Sequence, residues 1–399
     1  MSERRLRIGV AGLGRAFMLM QPAFCADPRV ELVAGADPRA EATQRFAAEF
    51  GARTYASVEA LCADRDVDVV YIATPHPQHA AHAELAAAAG KHILVEKPMA
   101  ITLDECRRMT AAAARAGVCL VVGHGHSFDR PIARTRELIA GGEFGGLRMI
   151  TAQCYTDFLY RPRIADELDA QKGGGAVLNQ GSHQVDIVRL LGGGRVQTVR
   201  ALVGAWDRAR PAEGAYAALL TFADGAFASL VYSGYGHFDS AEFCGGIGEM
   251  GVPTDARGYG AARRSLQPAA GADAEAQLRR ARNYGGADCA RVATGPDAPA
   301  VWHQHFGVVL ASCERADLRP LPTGVMIYAD AEARLDPLPR PRIPRVEVID
   351  ELHAAVFGGR PPLHDGRWAT ATLEVCLAIR QSAQEAREIS LHHQAGVPA

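Results

Sequence analysis

The sequence predicts an α/β protein in two parts: an N-terminal doubly wound parallel sheet, then an α+β domain with a large, mainly antiparallel sheet. Three observations predict it. Near-continuous apolar runs alternate with helical patterns up to about residue 122, as in parallel strands buried on both faces. A glycine turn, Gly12-Leu13-Gly14, follows the first apolar run, and an acid, Asp37, closes the second. Beyond Pro131 the runs become strands in which apolar residues alternate, the mark of sheets with one covered face.

Arg7 to Ala11 reads as a buried strand, and Arg15, Ala16 and Phe17 as the start of a helix. Gly12 and Gly14 let the backbone turn tightly and approach a pyrophosphate, which the helix-start N–H groups at Arg15 and Ala16 can bind. The third glycine of the usual Gly-x-Gly-x-x-Gly pattern is replaced by Phe17. Val30 to Ala36 is the second strand, and Asp37 stands roughly 20 residues beyond the glycines, where a ribose-binding carboxylate belongs. Such a carboxylate accepts hydrogen bonds from both ribose hydroxyls and repels a 2′-phosphate, so the expected cofactor is NAD rather than NADP. Arg39 reads as a solvated helix-start residue, with a cation for a 2′-phosphate as the alternative.

Pro38 to Phe50 reads as a helix stopped by Gly51, and Ser57 caps a short helix that runs to about Asp64. Val67 to Ala73 is a buried strand ending in Thr74-Pro75-His76-Pro77-Gln78-His79. Ligands of such sheets bind outside the carboxyl ends of the strands, so Thr74, Pro75 and His79 are expected to line the cofactor crevice. A helix over 80–89 and a strand at His92–Val95 deliver Glu96-Lys97-Pro98 to the same edge. Thr102 to Glu105 forms a capping box, Gly117 closes that helix, and Val118 to Val122 is one more strand. The first domain is therefore drawn at 1–126 and the second at 127–399.

In the second domain a helix at 131–140 precedes alternating runs at 147–156, 196–206, 215–222 and 226–235. Asp224-Gly225 between the last two reads as a hairpin turn. Residues 237–300 are rich in Gly, Ala and Arg, with a helix only near 274–282, and read as a long excursion, partly mobile. Strand signals return at 306–312 and 324–328, followed by a helix at about 346–357. A C-terminal helix is expected over 367–388, with Leu373, Leu377, Ile379 and Ile389 as its apolar side.

The chain of 399 residues is 48% hydrophobic and 22% charged with a net charge of −2. That describes a soluble globular protein with no charge excess for nucleic acid or an anionic membrane surface. Nine cysteines lie scattered without a C-x-x-C pair or metal-like Cys/His spacing, which fits free thiols in a reducing compartment and no metal. No apolar run reaches the ~18 residues of a membrane span. Arg4-Arg5 resembles a twin-arginine signal, but a strand feeding the glycine turn accounts for the same residues and no cleavage site follows. A cytoplasmic location is expected.

Lys97 sits between an acid and a proline at the end of a buried strand. A lysine buried there without a partner would be costly. Desolvation beside a nicotinamide cation would instead lower its pKa and make it a usable acid or base. Gly173-Gly174-Gly175 then leads into a helix on which Asn179, His183 and Asp186, spaced four and three apart, share one face. A histidine placed so, after glycines that admit close backbone approach, is read as catalytic.

These pieces together resemble the Gfo/Idh/MocA oxidoreductases over nearly the whole chain: Gly12-Leu13-Gly14, Asp37, Thr74-Pro75 with His79, Glu96-Lys97-Pro98, and the triple glycine with Asn179 and His183. The resemblance implies that Lys97 and His183 flank the substrate carbon that exchanges hydride with nicotinamide, as a proton-transfer pair. Asn179 departs from the family pattern, where Asp is frequent; it can hold a substrate hydroxyl but cannot take its proton. The runs Tyr160–Asp169, Asn179–Asp186, Leu230–Asp239 and Arg360–Trp368 further resemble the phthalate 4,5-cis-dihydrodiol dehydrogenase subgroup. That implies NAD-dependent oxidation of a ring dicarboxylate diol to 4,5-dihydroxyphthalate in aromatic catabolism. Guanidinium forks suit such carboxylates, which makes Arg161 and Arg163, with Tyr160, the substrate-binding candidates; a surface basic pair is the plainer account of the arginines. A sugar or inositol dehydrogenase of the same family is the alternative, and a nicotinamide-sensing binding protein without turnover a remoter one. The one-sided sheet and the resemblance together imply a homo-oligomer, a dimer or tetramer.

Overall fold

A computed structural model of the chain describes residues 4–123, 125–269, 271–289 and 301–397. It forms two compact units. The first comprises the described residues of Met1–His124, Ala276–Pro299 and Ile343–Thr370; the second those of Gly125–Glu275, Ala300–Arg342 and Ala371–Ala399. Two stretches that the sequence placed with the second domain are thus counted with the first. Side-chain packing accounts for both: Tyr284 joins the Phe17 cluster at a ring-centroid distance of 5.1 Å, and a Cβ at Gly123 would meet Val348 at 3.1 Å.

The first unit carries strands β1 (Leu6–Ala11), β2 (Val30–Ala36), β3 (Arg53–Tyr55), β4 (Val69–Ile72), β5 (His92–Val95) and β6 (Leu120–Val122). They are all parallel, in the order β3-β2-β1-β4-β5-β6. The order reverses beside β1, which creates the crevice where doubly wound sheets bind ligands. Helices α1 (Arg15–Ala26), α2 (Ala40–Phe50), α3 (Val58–Cys62), α4 (His79–Ala88) and α5 (Leu103–Ala116) make the crossovers. The expected capping box at Thr102 and Glu105 is present. Phe17 explains the missing third glycine: its ring is fully buried against Phe46, 5.6 Å between centroids. Apolar burial there supplies the helix–sheet contact that a glycine would otherwise leave to close backbone approach.

The second unit opens with α6 (Arg130–Ala140), β7 (Leu147–Tyr155), α7 (Ser182–Leu191), β8 (Val196–Gly204), β9 (Ala215–Phe222) and β10 (Phe227–Ser233). α8 (Ala261–Leu266) and the start of α9 (Ala272–Ala281), which passes into the first unit at Ala276, precede β11 (Val308–Cys313), β12 (Ala316–Leu321), β13 (Gly324–Ala329) and β14 (Ala333–Pro337). α10 (Val346–Gly358) belongs to the first unit, α11 (Gly366–Glu385) runs from the first into the second, and β15 (Ile389–Ser390) follows in the second. The nine-stranded sheet runs β14-β13-β12-β11-β7-β10-β9-β8-β15. β7 and β10 are parallel and its other described pairs antiparallel. The hairpin at Asp224-Gly225 joins β9 to β10 as expected.

Alternation divides the sheet into two faces. Ile150, Ala152, Leu220, Leu230 and Tyr232 are buried, while Leu202, Leu219 and Phe227 stand 65%, 56% and 47% exposed. Ile389 does not belong to the C-terminal helix: α11 ends at Glu385, Ala386 takes a left-handed φ of 54°, and Ile389 pairs with Val199. The excursion at 237–300 is structured where it is described, by turns at 240–244 and 256–258, α8, α9 and a bridge between Ile247 and Pro253. Residues 290–300 lie outside the described part. Among the described residues no helix is long and apolar enough to cross a membrane.

Candidate active site

In the first unit the predicted cofactor residues stand at the carboxyl ends of β1, β2, β4 and β5. Gly12 has φ 91°, and a Cβ there would lie 2.7 Å from the Ala73 carbonyl oxygen. Only glycine meets both demands. Gly14, at the N-cap of α1, faces open space instead: a Cβ would meet nothing within 4 Å. The first-turn amides of Arg15 and Ala16 begin at that opening, and a helix start of this kind suits a pyrophosphate.

Asp37 is buried beside the same turn. Its Oδ2 accepts from the Leu13 amide at 2.8 Å and its Oδ1 from the Arg39 amide at 2.9 Å. The Arg39 guanidinium donates to both carboxylate oxygens at 3.0 and 3.1 Å, to Leu13 O at 2.7 Å and to Tyr284 O at 3.2 Å. This corrects the reading of Arg39 as solvated. A carboxylate offers about four lone-pair sites, so a ribose hydroxyl at Asp37 must share with the Arg39 fork or displace it.

His79 is also placed differently from expectation. It is fully buried, with Nε2 2.9 Å from Thr74 O and Nδ1 3.1 Å from Pro98 O. Burial pushes its pKa down, and a neutral ring donates to one carbonyl at a time. His79 therefore ties the turn after β4 to the turn after β5 and does not present its ring to a ligand. Thr74 Oγ1 lies 3.0 Å from His82 Nδ1, and Pro75 precedes the single turn 76–78. Glu96 accepts a 2.6 Å hydrogen bond from the buried Tyr71 hydroxyl, whose pKa burial raises well above the ordinary value. Lys97 follows, half-buried.

In the second unit the helix bearing Asn179 and His183 opens with a wider π-turn at Val177–Gly181 before α7 begins. Such bulges recur at functional sites, and the three side chains expected on one face meet different partners: His183 and Asp186 face the 126–128 turn, at His126 and Ser127, while Asn179 turns back to the glycines. Asn179 Nδ2 donates to Gly173 O at 3.0 Å and Gly175 O at 2.9 Å, bracing the triple-glycine turn. Gly175 has φ 86°, and a Cβ there would strike the Glu213 carboxyl at 2.7 Å. Asp186 is engaged structurally: it accepts from Ser127 Oγ and, at 2.8 Å, from Thr372 Oγ1. Beside it the fully buried Arg189, pushed down to about 10 by burial, donates to Thr372 Oγ1 at 2.7 Å.

His183 is buried with its ring 4.7 Å from His126 and 5.1 Å from Phe306, centroid to centroid. His126 escaped the sequence reading. Its Nδ1 lies 2.6 Å from Asp129 Oδ2 and its Nε2 3.5 Å from Glu249 Oε1. Burial opposes its charge, but the two carboxylates outweigh burial and push it up to about 9. Glu249 in turn is held down at about 2, against burial, by His126 and Arg161. The spacing of His126 and Asp129 is a helical i,i+3 pair at the expected domain boundary, a signal present in the sequence. Glu249 has none, since it comes from the aperiodic excursion.

The substrate candidates separate. Arg163 is taken up locally: it donates to Phe158 O at 3.0 Å, lies 3.9 Å over the Phe158 ring and pairs with Glu167 at 3.6 Å. Tyr160 donates to Asp207 at 3.1 Å, and Arg263 covers its ring at 3.9 Å. Neither offers its polar end as expected. Arg161 remains exposed, with a 3.2 Å contact from Nε to Asp157.

A dinucleotide-binding parallel sheet ending in Glu96-Lys97, joined in one chain to an α+β unit with a buried histidine, defines a nicotinamide-dependent oxidoreductase. Residues 6–124 match the profile described as "Oxidoreductase family, NAD-binding Rossmann fold", and 132–249 the "GFO/IDH/MocA C-terminal domain". The chain belongs to the Gfo/Idh/MocA family of NAD(P)-dependent oxidoreductases. It is 47% identical over 380 residues to the 1-carboxy-3-chloro-3,4-dihydroxycyclohexa-1,5-diene dehydrogenase of Comamonas testosteroni, covering 95% of each chain. It is 35% identical over 162 residues to the mouse trans-1,2-dihydrobenzene-1,2-diol dehydrogenase, over 40% of this chain and 48% of that one. The crystal structure of a dehydrogenase from Bordetella bronchiseptica superposes with a TM-score of 0.90 at 41% identity, covering 97% of this chain and 100% of the other.

Proposed function

We propose that the protein oxidises a secondary alcohol on a carboxylated cyclohexadiene cis-diol, with the phthalate cis-4,5-dihydrodiol as the specific substrate and 4,5-dihydroxyphthalate as the product. The observation that carries this reading is the end-to-end likeness to a dehydrogenase whose name specifies a carboxylated dihydroxycyclohexadiene. The cofactor, when bound, supplies the hydride acceptor. Gly12, Gly14, Arg15 and Ala16 hold its pyrophosphate, Asp37 its ribose, and Thr74, Pro75 and Glu96 line the same sheet edge. Lys97 or His183 removes the hydroxyl proton, while Asn179 shapes the glycine turn ahead of His183. The ketone formed enolises to a catechol, and the gain of aromaticity draws the reaction towards oxidation.

Arg161 grips a substrate carboxylate. Arg161→Ala is expected to raise KM for the carboxylated diol with little change in kcat, the signature of uniform binding. A diol lacking the carboxylate should show no such change. Equal effects of the variant on both substrates would remove the carboxylate from the proposal.

NAD is the favoured cofactor. The protein is expected to bind it at least tenfold more tightly than NADP, about 1.4 kcal/mol. Asp37→Ser should shrink that gap, because it removes the repelling carboxylate and releases the Arg39 fork towards a 2′-phosphate. Equal affinities for NAD and NADP in the unaltered protein would refute the role of Asp37.

The exposed Leu202, Leu219 and Phe227, large apolar side chains on one face of three neighbouring strands, support a homo-oligomer built sheet face to sheet face. Sedimentation at micromolar concentration should show a dimer or tetramer; a monomer would contradict it. The scattered cysteines support a reducing, cytoplasmic setting.

A further inference from the structure

We propose that His126, clamped as a cation between Asp129 and Glu249, sets the proton affinity of His183 by facing its ring. His126 is thus a positioning residue: it fixes the pH above which His183 is neutral and able to accept a proton. The inference rests on the reading of His183 as a proton-transfer residue.

The geometry starts from the ring contact. The two imidazoles meet edge to face, with centroids 4.7 Å apart and planes at 65°. Phe306 covers both, at 5.3 Å from His126 and 5.1 Å from His183. It is itself buried and stacked on Tyr232 at 6.0 Å. Water is thereby kept from the contact, and charge acts more strongly across it than in solvent. Both ring nitrogens of His126 are aimed at carboxylates, Asp129 at 2.6 Å and Glu249 at 3.5 Å. A neutral imidazole carries one N–H, so serving both requires the imidazolium. A like charge in contact disfavours protonation of its neighbour, and His183 is that neighbour.

The other groups around the pair bear on the sign. Arg161 adds a second cation against Glu249. His305, with Nε2 2.8 Å from Ile247 O, is pushed down by burial and stays neutral. The Tyr232 hydroxyl, 3.0 Å from Thr156 Oγ1, is raised well above its ordinary value by burial and is also neutral. Asp186 lies one turn further along α7 and is tied to Ser127 and Thr372. Arg189, buried beside Asp186, balances that carboxylate. Asp129 and Glu249 are left to His126 and Arg161, and His126 is the cation in ring contact with His183. Removing its charge takes the cation in ring contact away and leaves the negative charge of Asp129 and Glu249 less compensated, which favours protonation of His183.

The test is a titration of the histidine rings of the full-length protein by nitrogen-15 NMR, with the His183 signal assigned by its loss in His183→Asn. His126→Gln should raise the apparent pKa of His183 by about one unit, a tenfold change in proton affinity. The acid limb of kcat/KM should move by the same amount. Glu249→Gln should shift His183 in the opposite direction, because it removes a negative charge and leaves the His126–Asp129 pair standing. A purely structural role for His126 would not produce opposite shifts. His183 unmoved in Glu249→Gln, or moved upwards, would overturn the inference even if His126→Gln failed to fold. Full turnover in His183→Ala would instead defeat the catalytic reading, and the ring titration would still report on the coupling.

Discussion

Replacing His183 by alanine is expected to lower kcat and kcat/KM together, by ~10²- to 10⁴-fold, while NAD affinity stays nearly intact. A group that takes a proton in the transition state contributes little to the ground state, so its loss appears in turnover. Lys97→Ala should fall in or beyond the same range. If the two residues serve one proton path, the double variant should lose far less than the product of the single losses. Steady-state kinetics of the three variants, with NAD binding measured separately, decide the matter. A near-normal kcat in His183→Ala would place the chemistry elsewhere.

Asp186→Ala is expected to destabilise the protein by about 3–5 kcal/mol, the usual cost of removing one partner from a buried charged cluster. Asp186 accepts from Ser127 and Thr372, and a Cβ at Gly125 would lie 2.7 Å from its carboxylate. Arg189, fully buried beside it, relies on that charge to offset its desolvation. The variant should unfold at lower urea concentration with an unchanged slope. An unchanged midpoint would mean that Arg189 finds its balance elsewhere.

The first unit was legible because its signals are local. The glycine turn, the acid after β2 and the unbroken apolar strands each lie within a few residues of what they specify. Phe17 looked like a defect in the motif and proves to be core, since its partners Phe46 and Tyr284 come from distant parts of the chain. Arg39 was misread for the same reason: it is held partly by the carbonyl of Tyr284, 245 residues away. His79 carried the right motif position, yet its ring is turned inward to two backbone carbonyls.

In the second unit long-range pairing decides more. β12 alternates in burial but carries Pro320 and two charges, Asp317 and Arg319, in six residues, and β14, which is almost wholly exposed, lacks the apolar alternation that marks a strand. Both are formed by pairing with β13. The π-turn at Val177–Gly181 leaves no trace in residue spacing. Arg163 and Arg161 are two residues apart and look equivalent in sequence; contacts to the Phe158 ring and carbonyl and to Glu167 separate the committed guanidinium from the exposed one. Glu249, which completes the His126 clamp, lies in a stretch without periodicity and became visible only through its contacts.

The central claim is that this protein oxidises a carboxylated cyclohexadiene cis-diol with NAD. The most direct test is NADH formation by the purified protein with the phthalate cis-4,5-dihydrodiol, a non-carboxylated dihydrodiol, inositol and a sugar, compared by kcat/KM. The account predicts the highest value for the phthalate diol and its collapse in His183→Ala. Preference for inositol or the sugar, or no NADH with any of the diols, would contradict it.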